Sequence, residues 1–211
     1  MATYALKQIV ANYALKQIPM VQEHSPKLLD THLLAIEVYT RKERFLKSLQ
    51  AIKRAAAQGP KDHPALHRAV VRFLVQLHDK RAALDPAIEK VLQLEMGDSG
   101  KWGLPGLDKP PADYNEEYIK SNANSRGSPY SIPHGVAAAW SLLHISKGDK
   151  SQLPRAIELV MNADDGGTTL KQAIAAKNTL KEDMGFSAED LKAFCEKARK
   201  RFPLATALAP A

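Results

Sequence analysis

"HSPKLLDTHLLAIEVYTRKERFLKSLQAIKRAAAQ", His24 to Gln58, is the stretch that decides the fold. Ser25 is a natural N-cap, and Pro26 suits the first helical position, where a missing N–H costs nothing. A helix is therefore expected to begin there and run to about Arg41. Its apolar residues Leu28, Leu29, Leu33, Leu34, Ile36, Val38 and Tyr39 cover most of the circumference, which implies neighbours on more than one side. A second helix follows, in which Phe45, Leu49, Ile52 and Ala56 recur at i, i+4, i+7 and i+11 as one apolar stripe, while Arg44, Lys47 and Arg54 share the opposite face. A hairpin containing one two-sided helix is the unit of a stacked solenoid.

The pattern recurs downstream. Gly59 and Pro60 punctuate, and Pro64 restarts a helix 38 residues after Pro26. The same shift aligns Leu28 with Leu66, Leu33 with Val71, Ile36 with Leu74 and Tyr39 with Leu77, a diverged repeat close to tetratricopeptide length. Asp85 before Pro86 opens a further helix, "PAIEKVLQLEM". No sustained period-2 run with β-branched enrichment occurs, so the predicted class is all-α, with tetratricopeptide-like helical hairpins stacked as a solenoid fragment.

Upstream, "YALKQI" stands at Tyr4 to Ile9 and again at Tyr13 to Ile18, nine residues on. On one helix this offset turns the two copies to opposite sides, so only the second need belong to the fold. Downstream, "GDSGKWGLPGLDKPPA" from Gly97 to Ala112 is dominated by glycine and proline and reads as a loop dividing the chain. Beyond it come a short polar helix in "DYNEEYIKSNANS", a buried one from Ser131 to Ser146 with Val136, Trp140 and Leu143 in stripe, and "PRAIELVM" from Pro154. After the "ADDGG" turn follow "TTLKQAIAAKNTLKEDM" and a last helix with Leu191, Phe194, Cys195, Ala198 and Phe202 in stripe. Ser187 and Asp190 form a capping box there, Lys197, Arg199, Lys200 and Arg201 complement its C-terminal dipole, and the tail "ATALAPA" is expected to fray. The expected organisation is a helical extension at 1–22, hairpins at 23–96, the loop at 97–112, further helical repeats at 113–203 and a tail at 204–211.

At 211 residues the chain is long enough to bury a real core, and its formal charge of +7 favours an acidic partner such as RNA or an anionic protein surface, the alternative being a solvated basic surface kept soluble by its charge. A single cysteine, Cys195, excludes an internal disulfide framework and lies on an apolar stripe, as a buried inert thiol does. No run approaches the roughly 20 apolar residues of a membrane span, and no secretory signal layout opens the chain.

The chemistry-bearing motifs fail on inspection. His63 and His67 have a chelating i, i+4 spacing, but His63 falls at or before the helix start and no third ligand accompanies them, so no metal site is expected. "GDSG" has no β-barrel to carry a catalytic His and Asp. "SGK" lacks the first glycine of a phosphate loop, having Glu95 there, and has Trp102 where the magnesium-binding Ser or Thr belongs. The nearest approach to an acetyl-CoA pyrophosphate turn, Gly135 to Ala137, is preceded by Ile132 instead of Arg or Gln and sits in a helix. No catalytic residue, cofactor or metal is therefore expected. The densest positive region is Arg41, Lys42, Arg44, Lys47, Lys53 and Arg54, read either as a solvated helix face or as a contact surface for an acidic partner, including phosphate backbones. Without interleaved exposed aromatics it is no single-strand stacking platform.

Taken in order, "THLLAIEVYTRKERFLKSLQAIKRA", "HPALHRAVVRF", "SIPHGVAAAWSLLHI" with "RAIELVM", and "ARKRFPLATALAP" resemble the carboxy-terminal region of the auxiliary subunit of the N-terminal acetyltransferase A (NatA) complex, from about residue 13 to the end. The resemblance implies a fragment of a long tetratricopeptide-type scaffold in the cytoplasm. Such a scaffold is not an enzyme: it wraps and activates a separate catalytic acetyltransferase subunit and supports N-terminal protein acetylation. It also implies, as further partners, the ribosome and a small regulatory protein with a ubiquitin-associated domain. The alternative is a basic helical-repeat module that binds ribosomal RNA or another acidic partner directly.

Overall fold

A computed structural model describes residues 2–60, 62–97, 105–124, 127, 129, 131–164 and 166–208, with side chains from residue 12 onward. Residues 98–104, the middle of the expected dividing loop, and the first copy of the duplicated segment as side chains lie outside what is described. The fold is all-α. The chain divides into two compact units, Met1–Pro110 and Pro111–Ala211. No described helix is long and apolar enough to cross a membrane.

The first unit holds α1 (Ala2–His24), α2 (Leu29–Arg41), α3 (Phe45–Gln58), α4 (Pro64–Lys80) and α5 (Pro86–Met96). α2 packs against α1, α3 and α4, and its buried residues Thr31, His32, Ala35, Ile36, Val38, Tyr39 and Thr40 span the wide arc that three neighbours require. α4 packs on both α2 and α3, and α5 on α3, which is how consecutive hairpins stack in a helical-repeat protein. The α3 stripe is buried as expected at Phe45, Leu49 and Ile52, and the Phe45 ring meets Phe73 of α4 edge-on with centroids 6.3 Å apart. Inside the hairpin the Thr40 hydroxyl donates to Ser48 Oγ at 3.2 Å, so two buried polar groups satisfy each other.

The start of α2 corrects the sequence reading. α1 continues through Pro19 to His24, and the Ser25 N–H is consumed by its last turn, donating to Val21 O at 3.0 Å. Pro26 disfavours a helical residue before it and so ends α1 instead of opening α2, which begins at Leu29 without a side-chain cap. His32 Nε2 donates back to Pro26 O at 2.9 Å and fixes the turn. Leu28, placed outside the helix by this shift, is 59% exposed, and Leu34 also faces solvent. Of the four pairs aligned by the 38-residue shift, Ile36 with Leu74 and Tyr39 with Leu77 are buried alike, whereas Leu28 and Leu66 differ.

The α2–α3 reversal is a Schellman turn: Glu43 N–H donates to Thr40 O and Arg44 N–H to Tyr39 O, each at 2.9 Å, with Glu43 in the left-handed region at φ 55°. Pro64 and Pro86 open α4 and α5 as predicted. His63 Nδ1 accepts the Ala65 N–H at 3.3 Å, and Asp85 Oδ1 accepts the Ala87 N–H at 2.8 Å.

The second unit comprises α6 (Pro111–Ser121), α7 (Ile132–Ile145), α8 (Leu153–Met161), α9 (Leu170–Glu182) and α10 (Ala188–Arg201). α6 starts inside the stretch expected to be loop, where Pro111 occupies a first-turn position. α7 is the hub, packing against α6, α8 and α9. Its Ile132, Val136, Ala139 and Trp140 share one core cluster with Ala156, Val160, Leu180, Met184, Phe186, Phe194 and Cys195. The capping box Ser187–Asp190 is present, and a second, Thr169–Gln172, opens α9.

Two expectations for the end of the chain are overturned. Leu208 does not fray: a 3-10 turn at Thr206–Leu208 buries it fully against Ala173 and Ala198. Lys197 does not serve its own helix dipole; its Nζ reaches across to α8, donating to Met161 O at 2.8 Å and also to Ala163 O, and so caps another helix's open carbonyls.

Candidate protein-contact surface

The six basic residues singled out by sequence fall into three environments. Arg41, on the exposed side of α2, pairs one turn back with Glu37, Nε to Oε1 2.6 Å. Lys53 turns the other way and pairs with Glu95 of α5. Lys42 lies half-buried in the hairpin turn. The remaining three, Arg44 at the N-cap of α3 and Lys47 and Arg54 within it, are exposed. Lys47 Nζ stands 5.7 Å from the centroid of the Tyr39 ring, a cation–π arrangement. Burial pushes the Tyr39 hydroxyl above the ordinary tyrosine range, and the positive charge of Arg54 partly offsets that. The exposed face of α3 is thus cationic and anchored on one aromatic ring.

A feature no local pattern announces lies between α2 and α4. Leu33, Ala65 and Ala69 line a groove of about 160 Å³ together with Glu37, Arg68 and Arg72. Glu37 binds Arg72 as well as Arg41, one carboxylate gripped by two guanidinium groups from different helices. Nearly all of the excess charge belongs to this unit, which carries 17 Lys and Arg against 11 Asp and Glu in residues 1–110.

No protein-family model matches the chain. It is 32% identical over 137 residues to human "N-alpha-acetyltransferase 16, NatA auxiliary subunit", 30% identical over 152 residues to the mouse protein of that name, and 29% identical over 148 residues to the "N-terminal acetyltransferase A complex auxiliary subunit NAA15" of Arabidopsis thaliana. These matches cover 65%, 72% and 69% of this chain, and 14%, 16% and 15% of the relatives. The chain is homologous to NatA auxiliary subunits. It spans about a seventh of the length of the curated relatives it matches.

His63 is a helix cap, His67 is buried in α4, and His134 Nδ1 shares a 2.6 Å hydrogen bond with Ser131 Oγ at the start of α7. The second unit contributes a hollow of about 410 Å³ lined by apolar Trp140, Leu153 and Met184 together with Asp149 and Asp183. The Trp140 and His144 rings stack there, centroids 4.6 Å apart and 14° from parallel. The Asp149 carboxyl is held below its usual range by the backbone N–H and hydroxyl of Ser151, at 2.9 and 2.7 Å, so it is occupied in capping a 3-10 turn. The stripe Val136, Trp140, Leu143 was readable in the sequence; that Trp140 and Leu143 line a hollow depends on Asp183, Met184 and Gly185 just after α9, and was not.

Proposed function

We propose that this chain is a non-catalytic scaffold, a carboxy-terminal fragment of a NatA auxiliary subunit that supports N-terminal protein acetylation in the cytoplasm through contact with a catalytic acetyltransferase subunit. The carrying observation is similarity over about two thirds of the chain to proteins named as auxiliary subunits of that complex. Stacked hairpins presenting charged outer faces support a role in contact, since such surfaces recognise partners by shape and charge complementarity. Further partners under this reading are a small regulatory protein with a ubiquitin-associated domain and the ribosome, the latter through Arg44, Lys47 and Arg54.

The test mixes purified chain with the catalytic subunit, acetyl-CoA and an acceptor peptide. Association without acetyl transfer by the chain alone is the expected result. Acetyl transfer by the chain alone overturns the scaffold reading, and absence of association removes the catalytic subunit as its partner. The concentration of charge in residues 1–110 favours a second reading, direct binding to ribosomal RNA. Binding to naked RNA that falls steeply with salt, and falls again when Arg44, Lys47 and Arg54 are reversed in charge, is its signature.

A further inference from the structure

We propose that the exposed face of α3 is a docking surface for base-paired RNA, gripped through its phosphate backbone by Arg44, Lys47 and Arg54 without contact to base edges. This rests on the RNA reading above and narrows it to one form of RNA and one way of holding it. Charge comes first. α3 contains no Asp or Glu. The glutamates of the neighbouring elements are engaged by other cations: Glu37 by Arg41 and Arg72, Glu43 by Lys80, and Glu95 by Lys53. Arg44, Lys47 and Arg54 are exposed and make no ion pair among the described residues. The row from Arg44 to Arg54 is about 15 Å long and spans about 80° of helix rotation, so one extended polyanion reaches all three. Lys47 is steadied by the Tyr39 ring, its Nζ 5.7 Å from the centroid.

What lies between the cations selects the occupant. Gln50, Ala57 and Gln58 complete the exposed face, so a peptide finds no apolar pocket for an anchor side chain and an unpaired base finds no ring to stack on. A phosphate backbone needs neither, only cations at a spacing it can meet. α3 also packs on α2, α4 and α5, which leaves it one free face. A helix seated flush in this way does not enter the major groove of a B-form duplex. The wide, shallow minor groove of A-form RNA meets a flush surface without insertion, and it presents 2′-hydroxyls to an amide such as that of Gln50.

Fluorescence anisotropy of the full chain tests this with a labelled RNA duplex, one of its strands alone, the DNA duplex of the same sequence and a polyglutamate peptide. The RNA duplex is expected to bind most tightly, and a second duplex of scrambled sequence to bind equally well. Arg44→Gln with Lys47→Gln and Arg54→Gln should weaken duplex binding about tenfold or more, and should flatten the slope of log affinity against log salt by about two to three. Lys16→Gln with Lys27→Gln and Lys90→Gln removes the same charge from exposed, unpaired positions of the same unit outside α3, and should change affinity by less than about twofold. All six side chains are exposed, and circular dichroism checks that both variants fold as the parent does. Equal losses in the two triple variants keep RNA as a partner and overturn the α3 site. Binding of the single strand, the DNA duplex or polyglutamate as tight as that of the RNA duplex overturns the form of ligand. A chain that binds no nucleic acid removes the RNA reading itself, and this site with it.

Discussion

Where α4 packs on α2 and α3 in the first unit, the helices meet through large rings and opposite charges; where α7 meets α8 in the second, they meet through residues with almost no side chain. Phe45 and Phe73 fill the first contact, and ion pairs tie the helices from outside, Glu37 with Arg72 joining α2 to α4, Glu43 with Lys80 joining the α2–α3 turn to α4, and Lys53 with Glu95 joining α3 to α5. α7 instead buries Gly135, Ala137, Ala138, Ala139 and Ser141. A Cβ added at Gly135 would stand 2.7 Å from Leu159 O and 2.8 Å from the Ala163 Cβ. The two units illustrate separate routes to a close helix pair: supplying matched side chains, or removing them so that backbones approach.

The largest effect should come from emptying the first contact. Phe73→Ala is expected to cost about 3–5 kcal/mol, because a fully buried ring leaves a cavity its neighbours only partly close. Hydrogen exchange should show amides of α3 and α4 losing protection while those of α7 and α8 keep it. Equal loss in both sets would mean that the two units unfold as one and that the contrast has no thermodynamic content.

Gly135→Ala is the converse, an addition where there is no room. The expected loss is about 1–3 kcal/mol, confined to α7–α10. A melting temperature unchanged from the parent would show that α7 and α8 can separate freely, and the small-residue account would fall.

These contrasts also mark what the sequence could reveal. Signals confined to one turn were readable: the stripe of α3, Asp85 before Pro86, and Ser187 with Asp190. The pairing Thr169–Gln172 carries the same signature, a Thr three residues before a Gln, and is equally legible in the sequence. The structural reason for Gly135, the passage of Leu159 O, lies on another helix and leaves no local signal. Glu37 with Arg72, Lys197 with Met161 and Leu208 with Ala173 likewise join residues about 35 positions apart, for which a periodic pattern carries no mark. Pro26 failed for a different reason: the same proline that can open one helix can close the previous one, and the length of α1 settled which.

A smaller effect sharpens the comparison at the helix ends. Each unit has a Schellman turn with a side chain in the left-handed region, Glu43 at φ 55° and Lys147 at φ 53°. Glu43→Gly and Lys147→Gly should each stabilise the protein by about 0.5–1 kcal/mol, relief of the left-handed strain exceeding the added freedom of the unfolded chain. Urea titration of both variants measures this, and destabilisation by Glu43→Gly alone would show that its pair with Lys80 outweighs the backbone.

The smallest expected effect is nil at neutral pH and emerges only in alkali. Burial, with a contribution from Glu117, pushes the Tyr114 hydroxyl up to about 12 from an ordinary 10.0. A raised value favours the neutral phenol in the fold, so its contribution is complete below about pH 10 and lost as pH rises towards 12. Tyr114→Phe should flatten the fall of melting temperature across that window. An identical slope in the two proteins would return the alkaline loss to the lysines.

The reach of Lys197 to α8 has a consequence for how the second unit comes off the ribosome. The last carbonyls of α8 wait for an amine that is 36 residues further along the chain than Met161. At a synthesis rate of about 5–20 residues per second, that interval is about two to seven seconds, during which α8 has emerged but its clamp has not yet been made. Vectorial folding of this half is therefore back-loaded, and a nascent chain stalled before residue 197 should present a frayed α8 to whatever waits at the tunnel exit.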